Sequence, residues 1–293
     1  MEKAKFIIPG IAEQYRVNKT LILAMEKFPH WFYDDIEISS VYGMFPVSLW
    51  NAGRIFNIYK AAYHEDIEEI KEFYNSRDIA LRLTYTNLLI QEEHLNDRFC
   101  NMIMESLHNG KNEVVLASNI LENYLRTTYP NFKYCSSTTK TLTKIDDLLT
   151  ELESPYYQVC LDYNLNNKFN QLEKIPVEQR DKCEFLVNAI CPPGCPHRAE
   201  HYNYNSKSML NHGGFFNIEC GITHNINSAE AKQMGHRISH QDIVNKYLPL
   251  GFTHFKLEGR TLPRHDLIGM YADYFVKPEH ILDFIGVMEL DCE

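Results

Sequence analysis

The chain has 293 residues, 44% of them hydrophobic, with 39 acidic against 29 basic side chains and a formal charge of -10. That composition can bury a large core, and its acidic balance works against a broad footprint on nucleic acid or an anionic membrane, though a local basic groove stays open. No stretch approaches the roughly 20 apolar residues of a membrane span, and the apolar run near Met1 is far too short for a signal peptide, so a cytoplasmic protein with reduced cysteines is expected.

Short β-rich runs alternate with longer segments of helical spacing along the whole chain. The predicted strands are Lys5–Pro9, Ile36–Tyr42, Ile79–Asn87, Glu113–Ser118, Phe132–Ser137, Tyr156–Tyr163, Glu184–Ile190 and Phe252–Glu258. Most are apolar on successive residues, as parallel strands covered on both faces should be. Helices are predicted over His64–Tyr74, with acids in its first turn, and over Glu92–Leu107, closed by Asn109-Gly110. Another is expected over Ser228–Tyr247, with Gly235 as a point of interruption before Pro249 and Gly251.

Eight β/α alternations in a chain of this length point to a single (β/α)8 barrel domain over residues 1–293, with a long loop after strand seven. The competing doubly wound sheet lacks its usual signature, since no GxGxxG follows the first strand and no GxxxxGK[ST] occurs. In a barrel the chemistry sits at the carboxyl ends of the strands. Asp162, Asn188 and Glu258 all fall there, together with Arg260. Glu258 and Asp162 are candidates for an acid/base pair across the barrel mouth. Lys256 shares a strand face with Glu258, and the two residues fit a structural ion pair equally well. Arg260 follows Gly259 and offers a planar fork for a carboxylate or phosphate, to which Arg54 and Arg198 could add an anion pocket. Asn188 completes the candidate substrate contacts.

Cys191-Pro-Pro-Gly-Cys195 opens the loop after strand seven, and Cys220 lies further along it. Thiols on a proline-stiffened turn suit soft metals and iron–sulfur clusters, whereas a lone CxxxC is equally well a pair of unligated cysteines. Three thiolates on one loop could hold a 4Fe-4S cluster. Zinc is the rival, since His197 and His201 would share a helix face near Cys191 and Cys195, at a spacing unlike that of the usual fingers. Cys135 and Cys160 are expected to pack inside the barrel.

Lys256-Leu-Glu-Gly-Arg260, together with Leu186-Val-Asn-Ala-Ile-Cys-Pro-Pro-Gly-Cys-Pro-His-Arg198, resembles segments of the collagenase-like peptidase family, with weaker echoes at Ser40-Val-Tyr-Gly43 and Ser136-Ser-Thr-Thr139. Better-understood relatives are 4Fe-4S barrel proteins that assist oxygen-independent hydroxylation. The resemblance implies a cluster on the strand-seven loop, matched here by Cys191, Cys195 and Cys220. The cysteine spacing departs from the main family, and no fourth cysteine follows Cys220 at a matching place. The leading expectation is therefore an iron–sulfur oxidoreductase or hydroxylase acting on a small polar or anionic substrate at the barrel rim. The alternatives are a zinc peptidase or hydrolase, and a non-catalytic protein with a structural metal that binds a protein partner.

Overall fold

The computed structural model describes residues 2–52, 64–211 and 233–290. Eight parallel strands close into a barrel in chain order. They are β1 (Ala4–Pro9), β2 (Ile36–Gly43), β3 (Ala80–Tyr85), β4 (Glu113–Leu116), β5 (Lys133–Ser136), β6 (Gln158–Cys160), β7 (Cys183–Leu186) and β8 (His254–Lys256). The seam is complete: β8 pairs with β7 through Phe255 and Phe185, and with β1 through Phe255 and Phe6. All eight strands predicted from the sequence are present, most of them shorter than the apolar runs that announced them.

Helices cover the outside because their apolar residues recur at helical spacing. Helix α1 (Tyr15–Lys27) buries Val17, Leu21 and Ala24, α2 (His64–Asn75) buries Ile67, Ile70 and Tyr74, and α3 (Arg98–Leu107) buries Cys100, Ile103, Met104 and Leu107. These side chains meet the outward-facing strand residues Phe6, Leu83, Val114, Val159 and Phe255 in one continuous core. Each such side chain, fully buried, contributes on the order of 1.5–3 kcal/mol.

Two predicted helices are corrected at their starts. Glu92–Leu107 is split into a 3-10 turn over Glu92–Asn96 and α3, because the Asp97 carboxylate accepts from Cys100 N at 2.7 Å and so starts a new helix. The expected Ser228–Tyr247 helix begins only at His240, after Ser239, whose hydroxyl accepts from Asp242 N at 3.1 Å. From Ile243 to Tyr247 it continues as a π turn. Residues 228–232 lie outside the described residues.

The barrel interior is polar. Alternation along the strands turns Ser40, Tyr42, Arg82, Thr84, Glu113, Gln158, Glu184, His254 and Lys256 away from the helices, and all nine are buried. Arg82 ties this layer together. Its Nε donates to Glu113 on β4 at 2.5 Å, Nη1 to Glu184 on β7, and Nη2 to Gln158 on β6. Lys256 on β8 pairs with the other oxygen of Glu184 at 3.4 Å. The structural partner of Lys256 is therefore Glu184, not Glu258. Cys135 and Cys160 share this interior, and burial pushes the Cys135 thiol up to about 12.

Burial alone would raise the Glu184 carboxyl, but Arg82 and Lys256 outweigh it and hold it down to about 2. Its stabilising contribution is thus complete above the ordinary carboxylate range and is lost as pH falls from there towards about 2. Thermal melting followed downward from neutral pH should show that acid limb, and Glu184→Gln should flatten it. Replacing Arg82 by Ala strands two buried carboxylates, so chemical denaturation should register a loss of about 3–5 kcal/mol.

Candidate functional site

The mouth of the barrel is formed by the turns that follow the strands. The chain leaving β7 and the chain leaving β8 are clasped to each other: Asn188 Nδ2 donates to Glu258 O at 2.8 Å, and Glu258 N donates back to Asn188 Oδ1 at 2.6 Å. The Glu258 carboxylate then accepts from Ile190 N at 3.0 Å. Two of the predicted site residues thus meet, and what they do there is hold two loops in register.

Asp162 and Arg198 form a second fastening. Asp162, after β6, is buried; its Oδ1 accepts from the backbone and side-chain nitrogens of Asn164, at 2.9 and 2.8 Å, and its Oδ2 accepts from Arg198. Arg198 opens the helix α7 (Arg198–Leu210), and its guanidinium lies 4.7 Å from the Tyr163 ring centre. Burial draws the guanidinium down, but the Asp162 bond and charge more than reverse this and push it above its ordinary range. Tyr163 also meets the buried His236, with ring centres 5.1 Å apart. His236 Nε2 lies 2.8 Å from Ala189 O, and a carbonyl only accepts, so this nitrogen carries the proton. Burial keeps the imidazole below its usual range, against the pull of that carbonyl.

Cys191 and Cys195 bracket the turn between these fastenings. Gly194 takes φ +69°, a left-handed conformation that favours glycine, and its N–H donates to Asn164 Oδ1 at 2.8 Å while Cys195 N reaches Pro192 O at 3.3 Å. Cys191 packs on Tyr163, Leu186 and Ala189, and both thiols are half-buried. His197 and His201 do fall on one face of a helical turn, but His197 faces Glu200 at 3.7 Å across open solvent. Among the described residues no three His, Cys, Asp or Glu side chains converge as metal ligands. A cluster or a tetrahedral zinc needs three or four donors, so the two described thiols do not by themselves fit either group. Cys220 and Arg54 lie outside the described residues.

The remaining predicted residue, Arg260, is set over the polar interior. It is buried, and its Nη1 donates to Thr84 Oγ1 at 2.9 Å, while Thr84 donates to Gly43 O at 3.0 Å. Asn51, oriented with its amide nitrogen towards Thr84, donates to the same hydroxyl at 2.9 Å. The Tyr42 ring is near two cations, with Lys256 Nζ 4.2 Å and the Arg260 guanidinium carbon 5.5 Å from its centre. Tyr42 itself is fixed by its hydroxyl, which donates to Leu257 O at 2.9 Å.

Sequence reading missed a fourth participant, Glu13, in the turn after β1. Neither carboxylate oxygen has a hydrogen-bond partner among the described residues, and both are shut off from solvent. The carboxylate lies over Gly43, where an added Cβ would stand 3.0 Å from Oε2 and 2.7 Å from Ile11 N. A glycine is needed at that close approach. Burial raises the Glu13 carboxyl above its ordinary range, opposed first by the charge of Arg260.

The comparisons bear on the fold. No established family profile matches the chain, and no curated protein does. Among solved structures it is similar to that of the U32 peptidase Mk0906, with a TM-score of 0.51 and 13% identity over 88% of this chain and 94% of that one. The likeness is one of fold, to a member of the collagenase-like peptidases. It corrects the leading expectation of an iron–sulfur oxidoreductase or hydroxylase, because the neighbour is described as a peptidase. No helix of the described residues is long and apolar enough to cross a membrane.

The Asp162–Arg198 fastening makes a direct prediction. Asp162→Asn leaves a buried guanidinium without its counter-charge and should cost about 3–5 kcal/mol. Limited proteolysis should then cut first between residues 188 and 211, whereas an unchanged melting temperature would show that the pair holds nothing.

Proposed function

We propose that the chain is a hydrolase of peptide-type amide bonds, acting at the carboxyl-end mouth of its barrel on substrates that place a carbonyl or carboxylate oxygen against Arg260. The observation that carries this reading is the setting of Arg260. The guanidinium is held by Thr84 from β3 beside the Tyr42 ring from β2, in a water-poor place at the end of the barrel where this fold does its chemistry. Fixed donors aimed at developing negative charge are the largest single source of rate in acyl transfer, and they act most strongly where water is excluded. The fold neighbour described as a peptidase supports the same reaction class.

The rest of the mouth serves this geometry. Lys256 is already paired with Glu184, so Arg260 is the cation set at the mouth, and an anionic chain end or side chain is favoured over a cationic one. The Asn188–Glu258 clasp keeps the β8 turn, and with it Arg260, from moving away from the loop after β7.

A mixture of defined peptides incubated with the purified chain and read by mass spectrometry should show new termini. Arg260→Ala should lower kcat/KM by about 10²–10³-fold, and Arg260→Lys should recover only part, because a point charge does not replace the planar fork. Intact peptides after prolonged incubation, or cleavage that survives Arg260→Ala undiminished, would remove the hydrolase reading.

A further inference from the structure

We infer that Glu13 is the proton-transferring group of the barrel mouth, the general base that takes a proton from the attacking water and returns it to the leaving amine. This rests on the hydrolase reading above. Buried carboxylates are almost always hydrogen-bonded, and leaving one without partners costs its full desolvation, so an orphan of this kind calls for a functional reason. Both oxygens of Glu13 are in that state among the described residues, although the amides of Ala12, Glu13 and Met44 lie near enough to draw on its charge. None of them closes a bond of hydrogen-bonding geometry.

The position is equally specific. Gly10 sends the chain from β1 into a turn at φ +92°, its N–H donating to Tyr42 O at 2.7 Å, and this delivers Glu13 over Gly43 at the end of β2. Thr84 donates to the carbonyl of that same Gly43 and accepts from Arg260. The carboxyl and the guanidinium therefore both stand by one glycine, near enough for the Arg260 charge to act on Glu13. That is the separation of roles an amide hydrolase needs: a base for the water, and a fixed cation for the oxyanion.

The bonds balance with these two groups. Ionised Glu13 removes a proton from water as the oxygen bonds to the carbonyl carbon, and the carbonyl π pair moves onto the oxygen facing Arg260. When that pair returns, the C–N bond breaks and the proton held by Glu13 passes to the departing nitrogen. The products are a carboxylic acid and an amine, with no other reactant.

The charged and titratable groups around Glu13 set its behaviour. Arg260 faces it from the β8 turn and Tyr74 from α2. Burial dominates, so the folded chain holds the Glu13 proton more tightly than the unfolded chain does. Between the two ranges the native state carries the extra proton, and stability falls as pH rises until Glu13 has ionised in the fold.

The test uses the whole chain as wild type, Glu13→Gln and Glu13→Asp. Glu13→Gln should lower kcat by about 10²–10⁴-fold with KM little changed, and should abolish the acid limb of the kcat/KM profile. The same variant should melt higher than wild type above the carboxylate range and equally below it, a gain that a merely structural role would not produce. Full turnover in Glu13→Gln, or an acid limb that persists in it, overturns the assignment. Should the wild type cleave no peptide, the hydrolase reading fails by itself. Infrared difference spectra between wild type and Glu13→Gln then decide the rest: a protonated carboxyl persisting above the ordinary range supports Glu13 as the mouth's proton holder, and ordinary titration overturns it.

Discussion

One guanidinium sets the frame on which the mouth of this barrel stands. Arg82 reaches from β3 across the interior to acceptors on β4, β6 and β7 at once. An ammonium could not do this, because only a planar fork presents donors in three fixed directions. Bringing these charges out of water is expensive, and their mutual attraction repays the cost only while every partner is present. The arrangement therefore specifies strand register more than it adds stability. A slip of β4 or β7 by one residue would turn Glu113 or Glu184 outward and leave Arg82 unmatched. The frame continues upward from Glu184 to Lys256, from Lys256 to Tyr42, and from Tyr42 to Arg260.

Above that frame the polar residues divide into two kinds. Asn188, Glu258, Asp162 and Arg198 spend their hydrogen bonds on neighbouring backbone or on each other, and so fix the loops after β6, β7 and β8. Arg260 and Glu13 are placed differently, since one, bonded to Thr84, sets its charge beside an aromatic face, and the other closes no hydrogen bond of normal geometry although backbone amides lie near its carboxyl. The distinction matters because all six are polar and residue type alone does not sort them. Only the bonds they make separate a fastening from a reactive group.

That is also why the fold was readable from the sequence and the site only partly so. Strand positions follow from apolar runs that any parallel barrel must bury on both faces, and eight of them appeared in order. Their ends were overestimated, as at Ile79–Asn87, because chain leaving a strand stays extended and apolar after the ladder stops. Arg82, Glu113 and Glu184 were visible as charges inside or at the start of strands, and a period-two reading would have turned them inward together. Arg260 was legible from its place after β8. Glu13 was not, because nothing local marks it: its surroundings are Gly43 and Arg260, distant in sequence and joined only by closure of the barrel. The Cys191–Cys195 turn follows β7 as expected, while Cys220 lies outside the described residues.

The polar filling has one more consequence, for the shape of what can be recognised. Arg82, Gln158, Glu184, Lys256 and Tyr42 are all buried, and side chains of this kind fill a barrel of eight strands as a packed layer, a floor beneath the rim. A molecule can lie across such a platform but cannot be threaded into it. The upper size limit is then set by the surrounding loops and not by strand number or barrel diameter. Selectivity in a scaffold of this kind can drift by exchange of loops while the interior stays untouched, and long chains are as admissible as short ones provided they pass over the rim side-on.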